Sequence, residues 1–192
     1  MLIPAKVKKG YVLCYRGKSW IGFFDDGYEH VSLVSDIFHT PQGDIEFHQI
    51  EMHYSARNLQ GEKVSGLLES VVQEKYYKNI EVYSLKDYIK MQKDINSKKI
   101  EQAILAYRGL IGTIPYDLPS FLSLWFYSKV LKPLGLANMQ PKLNDEHKEV
   151  CSTAINRVFF IGCLGVDLLP NINDNAGTPS DIAHSKLLSR IC

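Results

Sequence analysis

A change of hydrophobic period partway along the chain constrains its fold more than any other feature. Up to about residue 83 the apolar residues alternate or fall in short runs; beyond it they recur at spacings of three and four. The first pattern is that of strands and the second that of helices with one buried face. Strands are predicted at residues 7–15, at Tyr28–Val34, at Asp44–Tyr54, at Leu67–Val72 and at Ile80–Tyr83. In the Asp44–Tyr54 stretch neither alternating face is cleanly apolar, which predicts an edge strand or a protruding hairpin. Together with its flanks it forms a polar stretch at about 39–66 that reads as a hairpin insertion in a single domain spanning 1–192.

Helices follow. Ser84 with Asp87 reads as an N-cap. Ser97 reads as another, ahead of the apolar face Ile100, Ala103, Ile104, Tyr107 and Ile111, with Gly112 as the stop. Leu118–Tyr127 is an apolar run that reads as a buried helix. From Cys151 the residues Ala154, Ile155, Val158 and Phe159 complete a helical stripe, and Gly162 and Gly165 end it. Thr178-Pro179-Ser180-Asp181 starts a last short helix, with proline and aspartate in its first turn. Strands first and helices after make an α+β chain with a small, mostly antiparallel sheet packed against helices.

Composition narrows the function classes. The chain has 192 residues and a formal net charge of +1, so nothing in it calls for nucleic acid or an anionic membrane. No apolar run reaches membrane-spanning length and the first residues lack a signal-peptide core, so a cytoplasmic setting is expected. Cys14, Cys151, Cys163 and Cys192 lie far apart and show no metal-ligand spacing. His39, His48 and His53 recur near one another, but His48 and His53 fall on opposite faces of one strand. No metal and no cofactor are expected.

One residue stands out chemically. Cys151 opens its helix, where unpaired backbone N–H groups and the helix dipole favour a thiolate. A nucleophilic cysteine also needs a histidine to move protons and a group to orient that histidine. His30 on a strand and Glu69 within an apolar strand supply those residue types. His147, four residues before Cys151, is a rival base. Cys14 and Cys163 read as core, and Cys192 as a terminal thiol without a role.

Several stretches resemble the permuted papain-like amidases, the YiiX/YebB-like group related to NlpC-type cysteine peptidases. Lys9-Gly10-Tyr11-Val12-Leu13-Cys14-Tyr15 is similar to that group's opening strand. Tyr28-Glu29-His30-Val31-Ser32-Leu33-Val34 is similar to its histidine strand, and Gly112-Thr113-Ile114-Pro115-Tyr116-Asp117 to its G-x-P-Y-D stretch. Val150-Cys151-Ser152-Thr153-Ala154 resembles the segment at its cysteine, and Thr178-Pro179-Ser180-Asp181 its tail. The chain departs from the pattern at Tyr11, Glu29, Val150 and Thr153.

The resemblance implies a circularly permuted papain-like (NlpC-type) fold with the cysteine helix late in the chain. It implies Cys151 as nucleophile and His30 as general base and acid. Leu68-Glu69-Ser70 matches the group's acid strand, so Glu69 is expected to orient His30. Tyr116 and Tyr28 are expected to line the substrate cleft. The function that follows is a cysteine hydrolase acting on an amide in a small peptide or amino-acid conjugate. Two alternatives stand beside it. One is a lipid acyl-ester hydrolase or acyltransferase; the other is a binding protein that keeps the fold without turnover.

Overall fold

The computed structural model describes residues 2–18, 25–86, 93–117, 119, 122, 123, 126, 134, 150–162, 165–170 and 177–192. Its strands are β1 (Val12–Arg16), β2 (Tyr28–His39), β3 (Ile45–Arg57), β4 (Lys63–Val71), β5 (Ile80–Leu85) and β6 (Leu188–Arg190). They form one six-stranded sheet in the order β4-β3-β2-β1-β5-β6. Every pairing is antiparallel. The helices are α1 (Lys93–Arg108), α2 (Cys151–Gly162) and α3 (Pro179–Ala183). The chain is thus a mixed α/β structure with an antiparallel sheet.

Strand alternation divides the apolar residues between two cores. Val31, Leu33, Ile50, Met52 and Leu67 face the helices and pack with Ile104 and Tyr107 of α1 and Ala154, Ile155, Val158 and Phe159 of α2. Leu13, Val34, Phe47 and Val82 point the other way and are covered by Leu2 and Val7 of the N-terminal segment. β1, β2, β3 and β5 therefore carry apolar side chains on both faces over part of their length. A polar side chain on such a strand sits in the interior and needs a partner there.

Three predicted features take other forms. The stretch read as an edge strand or protruding hairpin is β3, an interior strand between β2 and β4. Its mixed faces arise because Gln49 and Glu51 are buried polar groups within the sheet. Ser84 is not a helix cap: it is buried in β5 and pairs with Ser189. Its partner strand β6 comes from the last residues of the chain, a long-range pairing that no local pattern reports. Ser97 lies inside α1, which already starts at Lys93. Of the predicted apolar helix Leu118–Tyr127 only residues 119, 122, 123 and 126 are described, and these are helical; Cys163 and His147 lie outside the described residues.

Two local devices place the helices. Gly66 in β4 has φ +125°, and a Cβ there would lie 2.4 Å from the Ile114 carbonyl oxygen. That close approach lets Leu67 N–H donate to Ile114 O at 3.0 Å, which pins the segment leading to Tyr116 against the sheet. At the other end of the chain, Thr178 and Asp181 form a reciprocal capping box at the start of α3 with Pro179 in the first turn.

Candidate active site

His30 is placed by an irregularity. Tyr15 pairs with His30 but Arg16 pairs with Tyr28, so Glu29 is an extra residue in β2. A bulge of this kind inverts the alternation. His30 therefore shares a face with Ser32, while Tyr28 turns to the helix side. There Tyr28 is buried and donates to Glu81 Oε2 at 2.7 Å, with Tyr83 Oη 3.1 Å away. Tyr28 therefore belongs to a closed internal network and does not line a cleft, contrary to the sequence expectation.

Glu51 of β3 stands opposite Ser32 and reaches diagonally to the ring of His30, whose Nε2 donates to Oε2 at 2.7 Å. The other carboxylate oxygen accepts from Ser70 Oγ and from Gln49 Nε2, the latter at 3.2 Å. Gln49 Oε1 accepts in turn from Ser32 at 2.6 Å and from the Tyr15 hydroxyl. Each buried polar group in this chain of contacts is satisfied, which fixes the carboxylate in one orientation. Glu51 is 5% exposed, yet its carboxyl sits below the ordinary value. Burial works to raise it and is outweighed by the hydrogen bond and charge of His30 and by the Ser70 hydrogen bond.

Glu69, the carboxylate expected in this role, is elsewhere. It lies on β4, one strand beyond β3, and faces Ile50 in the ladder. Its oxygens take Arg108 Nη2 at 2.6 Å and Ser35 Oγ at 2.5 Å, and Arg108 also reaches Asp36 at 3.3 Å. Glu69 therefore ties the end of α1 to the sheet. Ser35 lies on β2 five residues beyond His30, so Glu69 meets the histidine strand well away from the histidine.

Cys151 is the first residue of α2 and is 4% exposed. Thr153 reaches back to accept from Val150 N–H at 3.0 Å, the part an acid plays in a capping box. Ser152 donates to the Gly177 carbonyl, and Asn156 accepts from Leu168 N–H at 2.7 Å. These contacts hold the first turns of α2 in place. Cys151 and Glu51 are the two groups that act most strongly on His30: Glu51 through the hydrogen bond to Nε2, and Cys151 by its nearness to the ring. Burial alone would lower the His30 pKa; Cys151 and Glu51 outweigh it and push it up to about 10. The imidazolium form is thereby favoured.

Tyr116 lies close enough to Cys151 to feel it. Its hydroxyl is raised first by burial, then by the charges of Cys151 and Asp117. The ring of Tyr54 meets it edge-on with centroids 6.1 Å apart. Cys14 is buried and its thiol is pushed far up, chiefly by burial. Such a thiol is inert.

A groove of about 850 Å³ opens beside His30 and Glu51, lined also by Tyr15, His53, Arg57 and Lys63. The His53 ring lies 5.2 Å from that of His30 and accepts the Ser55 N–H at Nδ1, 2.9 Å away. The sequence contained one signal for Glu51 and His53: they share the His30-facing side of β3 with Gln49, in a strand too polar for its interior position.

No protein-family model matches the chain, and no curated protein sequence matches it. Among solved structures it is similar to the metalloprotein yiiX from Escherichia coli O157:H7. The TM-score is 0.56 at 9% identity, over 97% of each chain. At that identity the likeness concerns the fold, and the fold is YiiX-like.

Proposed function

We propose that the chain is a cysteine hydrolase with a permuted papain-like architecture of the NlpC type, in which the histidine strand precedes the cysteine helix. The observation that carries this reading is the setting of His30, with Nε2 bonded to Glu51 at 2.7 Å and Cys151 near enough to raise its pKa. A nucleophile, a proton carrier and an orienting carboxylate in that sequence are the parts acyl transfer requires.

In this reading the Cys151 thiolate attacks the carbonyl carbon of an amide. The first-turn N–H of α2 faces the developing oxyanion. The carbon–nitrogen bond breaks as the His30 imidazolium gives its proton to the leaving amine, leaving an acyl-thioester. His30, now neutral, takes a proton from water as the water oxygen attacks the thioester. The acid departs, and the sulfur–carbon bond breaks to restore the thiolate and imidazolium. Glu51 holds the ring and stabilises its charge throughout. An amide of a small peptide or amino-acid conjugate is the first choice of substrate, and an acyl ester the second.

The structural neighbour is named a metalloprotein. Among the described residues of this chain, no group of three His, Cys, Asp or Glu side chains can hold a metal ion. The mechanism contains no metal step. Among these residues no helix is long and apolar enough to cross a membrane.

The low exposure of Cys151 favours a second reading, a binding protein of the same fold without turnover. Alkylation separates the two. Iodoacetamide should modify Cys151 at pH 6–7, below the ordinary thiol pKa of about 8.5. Cys151→Ala should remove the modification and His30→Ala should slow it. Absence of modification in the folded protein, or a rate following an ordinary thiol, leaves the binding protein as the answer.

A further inference from the structure

We propose that the groove beside His30 binds an extended acidic peptide, with a carbonyl at His53 and a carboxylate between Arg57 and Lys63. This rests on the hydrolase reading only in making the bound peptide part of the substrate.

The first support is a like-charge pair. Arg57 and Lys63 stand directly opposite one another in the β3–β4 ladder, and both line the groove. Directly opposed like charges destabilise a pair of strands. Neither side chain makes an ion pair with a carboxylate among the described residues; Arg57 instead donates to the Gly61 carbonyl oxygen. An anion between the two would relieve the repulsion. The other basic groups of the groove include Arg16, which is already joined to Glu81 at 3.1 Å. The acids that line it are Glu29 and Glu51, and Glu51 is committed to His30.

The second support is His53. Its Nδ1 accepts a backbone N–H, so in the neutral ring the proton is on Nε2. Burial, and then the charge of His30, lower its pKa and keep it neutral. Neutral His53 is thus a fixed donor on the groove wall, suited to a carbonyl oxygen. An extra residue in β3 between His53 and Ala56 leaves three ladder steps from His53 to Arg57, roughly 10 Å. An extended peptide covers that in about three residues. A carbonyl acceptor near the reacting histidine and a carboxylate about three residues away therefore match the groove's two features. The overall charge of +1 keeps the attraction local to this groove instead of spreading it over the surface.

The test uses the Cys151→Ala protein, so that binding is read without turnover. Fluorescence anisotropy with a labelled tetrapeptide ending in glutamate, against the same peptide ending in glutamine amide, should show the acidic peptide binding about tenfold tighter. Raising the salt should shrink that ratio. Arg57→Gln and Lys63→Gln, each checked for an unchanged melting temperature, should each reduce the ratio, and the double variant should bring it close to one. His53→Ala should weaken both peptides alike. Equal binding of the two peptides, or a ratio untouched in the double variant, overturns the proposal. So does inorganic phosphate competing as well as the acidic peptide, since the groove would then bind anions without reading a chain. Reactive Cys151 with no peptide preference removes this inference alone; preference with an unreactive Cys151 removes only the hydrolase reading.

Discussion

Two glutamates in adjacent strands divide two duties that their sequence surroundings do not distinguish. Glu51 sits between Gln49 and Ser70 with one oxygen toward His30; Glu69 meets Arg108 and Ser35. Exchange of each for glutamine separates them. Glu51→Gln keeps the shape and removes the charge, so the His30 pKa should fall from about 10. Cys151 alkylation near neutral pH should slow by about 10²-fold. Glu69→Gln should leave that rate within a few-fold and lower stability by about 1–3 kcal/mol, because it leaves Arg108 half-paired at the end of α1. Alkylation rates and urea titrations on the same two proteins measure both effects. A slow Cys151 in Glu69→Gln with normal stability would reverse the roles of the two carboxylates.

At the scale of elements, the sheet and the helices meet through places where the backbone itself must come close. Gly66 is such a place: a side chain there meets the Ile114 carbonyl, and its φ of +125° belongs to glycine. Gly66→Ala should cost about 2 kcal/mol or more. It should also push the Tyr116 segment off the sheet, so loss of the Tyr54–Tyr116 ring contact should show in the aromatic NMR spectrum. An unchanged melting temperature would mean that the segment yields without strain. β3 shows how far an element can be read in advance. Its period of two was visible in Ile45 and Phe47 on one face and Ile50 and Met52 on the other, but its polar members made it look peripheral. Those same residues, Gln49, Glu51 and His53, are polar because they form the site. The bulge at Glu29 likewise left no mark in the residues, and it alone turns Tyr28 away from His30.

For the whole molecule, the charges around His30 set a pH range for stability. The folded His30 pKa is raised from 6.5 to about 10, so its contribution is complete below 6.5 and is lost as pH rises through about 10. Glu51 is lowered from 4.5, so its contribution is present above 4.5 and is lost as pH falls through its folded value. Unfolding free energy from urea titration should therefore be greatest between about pH 4.5 and 6.5 and fall on the alkaline side. His30→Gln should flatten the alkaline slope. An equal slope in wild type and variant would show that the imidazolium carries no such stabilisation.

By itself the sequence determined the kinds of element, the late helix opened by Cys151, and the capped turn at Thr178–Asp181. Each of these is a matter of neighbours along the chain, where hydrophobic period and capping chemistry act within a few residues. Only the tertiary structure decided that β3 is interior, that β6 closes the far edge, and that Glu51 and not Glu69 holds His30. Strand order and register join residues far apart in sequence. The energy that selects them comes from burying two apolar faces at once while satisfying every polar group left between them.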